Sequence, residues 1–145
     1  MRQLIIALLC CCWTFGTNAT EMVREQGFEV QIQPFPSTFL TQDVASTYGF
    51  ERSRRQALIN VVVLKIQPDG QARGAVAAAV TGFSKNLLGQ TQTLTFREID
   101  EGDDAIYYLA PVRVSSEEEI QIVLEVTPVN ARAIDVKFKH RVYVD

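Results

Sequence analysis

Apolar and polar residues alternate along four segments of the chain. Successive side chains of a β-strand point to opposite faces, so strict alternation indicates a strand with one buried face. The pattern therefore predicts four strands, and their buried positions are Phe28, Val30 and Ile32; Ile106, Tyr108, Ala110, Val112 and Val114; Ile120, Ile122, Leu124 and Val126; and Ile134, Val136, Phe138, Val142 and Val144.

Three further strands are expected from composition. Residues 58–66 form an almost continuous apolar run rich in β-branched residues, which favours a central strand. Residues 72–83 contain an alanine run compatible with a helix, but their glycines and β-branched residues favour a strand. Residues 91–99 alternate weakly. With turn-forming residues between the segments, seven strands predict an all-β, antiparallel, immunoglobulin-like sandwich.

One connection interrupts this regular spacing. Residues 34–56, the 34–56 connection, lie between the first two predicted strands and are unusually long for a compact sandwich. Within them, residues 41–48 predict a short helix. Thr41 is a suitable N-cap, Asp43 lies in the first turn, and Gly49 is a suitable C-terminal stop.

The N-terminus has the pattern of a secretory signal peptide. One arginine precedes an apolar run, and small residues at Thr17 and Ala19 predict cleavage after Ala19. We therefore expect residues 1–19 to direct export to the periplasm, and residues 20–145 to form a single domain without a transmembrane segment. Cys10–Cys12 all lie in the leader, so the mature chain would lack cysteine. A lipid-anchored cysteine is the alternative, but Leu9 is a poor residue to precede one.

The remaining residues predict neither catalysis nor a cofactor. Without the leader, 13 basic and 17 acidic residues leave a net charge of −4, which argues against a nucleic-acid partner. The one histidine, His140, lies on the buried parity of the last strand, where we expect it to be packed. No residue cluster has the spacing of a metal site. The acidic residues at 100–104 predict a solvated turn, with weak cation binding as the alternative.

Two segments contain the candidate binding residues, which are Arg52, Arg54, Arg55, Asn86, Leu87 and Gln90. Three nearby guanidinium groups can bind a phosphate or carboxylate, although a solvated approach to a strand is the simpler interpretation. Leu87 lies in residues 85–90, the 85–90 loop, where a turn needs no large apolar residues. We expect both segments to cover one end of the sandwich and to bury Phe39, Leu40, Tyr48 and Leu87 there.

The leading functional hypothesis is a non-enzymatic periplasmic binding or accessory module whose partner is an envelope protein. The alternative is a small-ligand binder or an enzyme with a pocket between the 34–56 connection and the 85–90 loop. In that case Arg52, Arg54, Asn86 and Gln90 would supply its polar groups. The oligomeric state does not follow from the sequence.

The register of the last hairpin can also be predicted. Both apolar faces stay buried only if opposed residue numbers have an even sum. A sum of 260 would oppose Glu125 to Asp135, two like charges. We therefore predict a sum of 262, which opposes Glu125 to Lys137.

Several short motifs resemble a family of small periplasmic proteins from gammaproteobacteria, filed as a domain of unknown function. In chain order they are Ser37-Thr38-Phe39-Leu40, Tyr48-Gly49 with Arg52-Ser53, Asn86-Leu87-Leu88-Gly89-Gln90, Phe96-Arg97-Glu98-Ile99, Ala105-Ile106-Tyr107-Tyr108 and Tyr143-Val144-Asp145. The resemblance implies a periplasmic β-sandwich in a bacterial envelope, and it implies no particular activity.

Overall fold

The computed structural model describes residues 20–102, 105–115 and 117–142. The predicted signal peptide and the terminal Tyr143-Val144-Asp145 motif lie outside these residues. The strands are β1 (Glu21–Glu25), β2 (Phe28–Pro36), β3 (Gln56–Ile66), β4 (Ala72–Ala75), β5 (Ala78–Asn86), β6 (Thr91–Leu94), β7 (Arg97–Asp100), β8 (Ile106–Arg113), β9 (Glu119–Pro128) and β10 (Ile134–Arg141). Between β2 and β3 lie a 3₁₀ turn (Ser37–Phe39) and one α-helix, α1 (Gln42–Tyr48).

Two antiparallel sheets form a sandwich, as the sequence predicts. The first sheet has the order β1-β2-β3-β8-β7, with β4 also paired to β3, and the second has the order β10-β9-β5-β6. The predicted alternation is confirmed, since the buried positions of both sheets face each other in one core. This core includes Val30, Ile32, Ile59, Val61, Tyr108, Val112, Ile122, Leu124, Val126, Ile134 and Val136.

The prediction of seven strands is wrong, because the described residues form ten. The segments 72–83 and 91–99 each divide between the two sheets: β4 and β7 belong to the first, and β5 and β6 to the second. A strand that turns the corner of a sandwich keeps its alternation and β-propensity on both sides of the bend. The sequence pattern therefore continues through the corner, so it does not show where each segment passes from one sheet to the other.

The additional first strand pairs with β2 through a two-residue turn. Glu25 is opposite Phe28, and the two residues between them have positive φ angles, 55° at Gln26 and 80° at Gly27. Such a turn matches the twist of antiparallel strands and favours glycine at its second position. The glycine before the first predicted strand was therefore the available signal for β1.

The predicted helix is confirmed, together with both of its ends. The Thr41 hydroxyl accepts a hydrogen bond from the Val44 amide at 3.3 Å, and Gly49 ends the helix with a φ of 75°. Both features satisfy backbone groups that a helix end leaves free. They are local, which is why the sequence predicts this element well.

The predicted register of the last hairpin is wrong by two residues. Ile134 is opposite Val126, so the sum is 260 and Glu125 lies opposite Asp135. The Ala131 amide closes the turn on the Pro128 carbonyl at 3.1 Å. The Gln26 side chain also donates to the Arg132 carbonyl at 3.0 Å and accepts from its amide at 3.1 Å. The turn and the two hydrogen bonds between Gln26 and Arg132 outweigh one like-charge pair, which costs about 0.2–1 kcal/mol.

The outer faces of the two sheets differ. On the first sheet Leu58, Leu109 and Ile99 are buried, although they alternate with core positions and face away from the second sheet. The 34–56 connection folds over this face, where α1 buries Ala45. Arg97 of β7 donates to the Tyr48 carbonyl, and its guanidinium lies 5.8 Å from the centre of the Phe50 ring. Nothing comparable covers the second sheet among the described residues.

Candidate functional site

The 34–56 connection and the 85–90 loop lie at the same end of the sandwich. Gln56, the first residue of β3, pairs with Arg113, the last residue of β8. The Gln92 side chain joins the two sheets there, donating to the Arg113 carbonyl at 2.8 Å and accepting from its amide at 2.9 Å. Gln92 pairs with Ser84, the residue directly before the loop. Both predicted segments therefore border one end of the molecule.

The 34–56 connection is closed on itself by a buried serine. The Ser37 hydroxyl donates to the Ser53 carbonyl at 2.8 Å and accepts from the Ser53 amide at 2.9 Å. Ser37 is fully buried. A buried hydroxyl that satisfies both backbone groups of one residue joins the two ends of the connection.

The predicted arginines do not share one role. The Arg52 guanidinium donates to the Thr38 carbonyl at 3.2 Å, within its own connection. Arg54 and Arg55 have exposed side chains. The backbone carbonyl of Arg55 accepts from the Val114 amide at 2.8 Å, which holds this position against the end of β8.

The polar side chains of the 85–90 loop bind the loop itself. Asn86 Oδ1 accepts from the Leu88 and Gln90 amides at 3.0 and 2.9 Å, and Asn86 Nδ2 donates to Gln90 Oε1 at 2.8 Å. Gly89 has a φ of 82°, a conformation that side chains rarely adopt. Asn86 and Gln90, two of the predicted ligand-binding residues, therefore stabilise the turn.

The loop displays its leucines to solvent. Leu87 is 79% exposed and Leu88 is 84% exposed, and Phe39 of the 34–56 connection is 66% exposed. The expectation that Phe39 and Leu87 are buried is thus wrong, while Leu40 and Tyr48 are half-buried. Leu87 and Leu88 are adjacent in the chain, so the turn presents two large apolar side chains to solvent.

Separate depressions lie beside the two segments. One, of about 470 Å³, is lined by Gln42, Ala45, Ser46, Phe50 and Arg52. Another, of about 170 Å³, lies on the side of the second sheet and is lined by Lys85, Asn86, Leu87, Glu119, Gln121 and Lys139. Of the predicted candidates, Arg52 lines the first depression and Asn86 and Leu87 line the second, while Arg54, Arg55 and Gln90 line neither.

Two sets of titratable groups named in the sequence analysis are His140 and the acidic residues at 100–104. His140 is half-buried on the core parity of β10, and burial lowers the pKa of its imidazole below the ordinary value. Among residues 20–102, 105–115 and 117–142, no three His, Cys, Asp or Glu side chains are grouped as metal ligands require. The Gly102 amide binds Asp100 Oδ1 at 3.0 Å within the acidic turn, whose Asp103 and Asp104 are not among the described residues.

Tyr108 has a structural role that sequence reasoning missed. Its hydroxyl accepts from the Ala78 amide of the second sheet at 2.9 Å and donates to Glu98 Oε2 of the first at 3.2 Å. Burial is the main factor that raises the pKa of this phenol, and the hydrogen bond from Ala78 opposes it. Tyr108 therefore joins the two sheets where β5 begins. Its buried parity was visible in the sequence, but its polar partners were not.

The geometry defines a two-sheet β-sandwich with a covered outer face on one sheet and an apolar loop at one end. The chain belongs to the DUF4426 family, described as a domain of unknown function, whose model matches residues 23–145. A crystal structure of a protein of this family from Pseudomonas aeruginosa PAO1 is similar. It is 34% identical, with a TM-score of 0.74, and the match covers 87% of this chain and 96% of that one. A search of curated proteins found no match.

A weaker likeness extends to FetP from uropathogenic Escherichia coli strain F11, which was recombinantly expressed in the periplasm. FetP is 10% identical, with a TM-score of 0.58, and the match covers 87% of this chain and 95% of FetP. A copper-bound variant of FetP is 9% identical, with a TM-score of 0.59, and the match covers 86% of this chain and 95% of that one. At such identity the likeness shows a shared fold and does not transfer the copper site. Within the part of this chain that the structure describes, no group of three or more His, Cys, Asp or Glu side chains could hold a metal ion.

Proposed function

We propose that this protein is a non-enzymatic binding or accessory module of the bacterial periplasm, which contacts an envelope protein through the 85–90 loop. The observation that carries the proposal is the exposure of Leu87 and Leu88, 79% and 84%, at the tip of the hairpin between β5 and β6. The hydrogen bonds within the turn already order its backbone, so a partner that covers these leucines avoids the entropic cost of ordering the loop.

The internal bonds of the loop support a binding surface over a catalytic site. Asn86 and Gln90 use their side chains to hold the turn, so they are poorly placed to orient a substrate. Of the polar groups named for a small-ligand pocket, Arg52 and Asn86 line different open depressions, and Arg54 and Gln90 line neither of them. A ligand pocket normally encloses its ligand and brings polar groups together.

The proposed periplasmic location is supported by the leader and by one structurally similar protein. Residues 1–19 have the pattern of a cleaved signal peptide. Among the described residues no helix is long and apolar enough to cross a membrane. The structurally similar FetP was expressed in the periplasm, which agrees with export of this fold.

The proposal predicts a crosslink that depends on position. A photo-crosslinking amino acid at position 88, introduced in cells of the bacterium that produces the protein, should give a discrete adduct. The matched control is position 129, because Val129 is 57% exposed but lies in the β9–β10 turn at the opposite end. Leu87→Asp should abolish the adduct without changing the melting temperature. Equal adducts from both positions, or none from position 88, would contradict the proposed surface.

A further inference from the structure

The outer face of the second sheet carries a solvent-exposed aromatic ring at its centre. Phe83 of β5 is 40% exposed and pairs with Val123 of β9, which is half-buried and in turn pairs with Lys137 of β10. These side chains border an open depression of about 360 Å³. Covering an exposed aromatic side chain on a sheet face removes apolar area from water and is therefore favourable.

The charges on this face are separated along the strands. On one side of Phe83, Asp135 lies opposite Glu125, and Thr81 completes that row. On the other side, Lys139 and Lys85 flank Gln121. The four charged side chains are exposed. One half of the face is therefore acidic, the other is basic, and the apolar centre lies between them.

The acidic row has a cost within one chain. Like charges directly opposite each other destabilise a sheet by about 0.2–1 kcal/mol. Three ion pairs occur among the described residues, and their arginines are Arg24, Arg73 and Arg141, all outside this row. The hairpin register imposes an acidic row, and the same face also has a basic row. The acidic row of one copy is therefore complementary in charge to the basic row of a second copy.

We propose that this face binds a second copy of the chain around a two-fold axis. The axis lies in the interface and crosses the strands at the level of Phe83. The rotation places each strand antiparallel to the same strand of the second copy. Phe83 then contacts the partner's Phe83, and Lys139 contacts the partner's Asp135, twice per dimer. An axis parallel to the strands would instead oppose acidic row to acidic row. A two-fold interface is self-complementary by construction, which this charge pattern satisfies.

The available area indicates a reversible dimer. β9 has ten residues, and at about 3.3 Å per residue and about 4.8 Å between strands the face measures roughly 33 Å by 15 Å. Two copies would bury on the order of 1,000 Å², the lower limit for a specific interface. The two Lys137 side chains lie at the level of the axis on the edge strand, where solvent screens their repulsion. We therefore expect dissociation in the micromolar range.

Analytical ultracentrifugation of the purified protein over about 1–200 μM tests the proposal. Wild type should dimerise, and Phe83→Asp should weaken the dimer at least about tenfold, which corresponds to about 1.4 kcal/mol. The matched control is Phe39→Asp, because Phe39 is 66% exposed but belongs to the connection that covers the first sheet. It should dimerise like wild type.

A charge exchange tests the direction of the axis with variants that leave the core untouched. Asp135→Lys and Lys139→Asp should each weaken the dimer severalfold, since each places like charges in contact. The double variant should recover wild-type affinity, because the pair is restored with its signs reversed. A monomeric wild type at 200 μM, a dimer that survives Phe83→Asp, or a double variant that does not recover would each overturn the proposal. The crosslink from position 88 is a separate measurement, so failure of the dimer leaves the proposed function standing.

Discussion

The 34–56 connection and the 85–90 loop border the same end of the sandwich, and both contain large apolar residues outside the strands. Their outcomes differ. The connection lies on a sheet face where Leu58 is fully buried, and α1 buries Ala45. The 85–90 loop projects beyond its strands and leaves Leu87 and Leu88 exposed. The connection therefore covers a sheet face and helps to bury apolar residues such as Leu58, although its own Phe39 stays 66% exposed, whereas the 85–90 loop covers no face.

The largest change in stability that this comparison predicts is for a substitution of Leu58. If the connection covers the outer face of the first sheet, Leu58→Ala leaves a cavity between that face and the connection and should lower the free energy of unfolding by about 2–5 kcal/mol. Urea denaturation measures the change. The matched control is Leu88→Ala, which removes the same atoms from an exposed side chain. Equal effects of the two substitutions would mean that the outer face of the first sheet is not a second apolar layer.

A smaller loss is expected at the serine that closes the connection. Ser37→Ala leaves the Ser53 amide without its buried acceptor, which should cost about 1–3 kcal/mol, while the Ser53 carbonyl still accepts from the Gln56 amide at 3.2 Å. Amide hydrogen exchange should increase at Ser53 in particular. Ser46→Ala is the control, because Ser46 is exposed on α1 and alanine is a good helix former. An unchanged exchange rate at Ser53 in Ser37→Ala would show that the connection is held by other contacts.

The smallest effect is predicted for the loop. The double variant Leu87→Asn, Leu88→Asn should change the free energy of unfolding by less than about 0.5 kcal/mol, as for most exposed positions. The bonds from Asn86 and Gln90 that hold the turn remain intact. Thermal and urea denaturation of the variant are sufficient to check this. A loss above about 1 kcal/mol would mean that these leucines pack against the protein, and the contrast between the two segments would disappear.

The candidate site shows where sequence reasoning reached its limit. It selected both segments from their unusual composition, and the structure places them at one end. It assigned Asn86 and Gln90 to a ligand, although their side chains close the loop. It also missed Tyr108 as a link between the sheets, because the partners of Tyr108 lie ten and thirty residues away in the chain. Hydrogen bonds over such separations leave no periodic signal.

Local chemistry was enough to determine α1 and the buried faces of the strands. Thr41 and Gly49 act within one turn of the helix they limit, and alternation depends only on the geometry of an extended chain. Which sheet each half of a divided segment joins was decided by the tertiary structure. The same holds for the opposition of Glu125 to Asp135 and for the exposure of Leu87 beside the burial of Leu58. These outcomes depend on contacts between distant residues, whose free energies outweigh the small local preferences that a sequence pattern reveals.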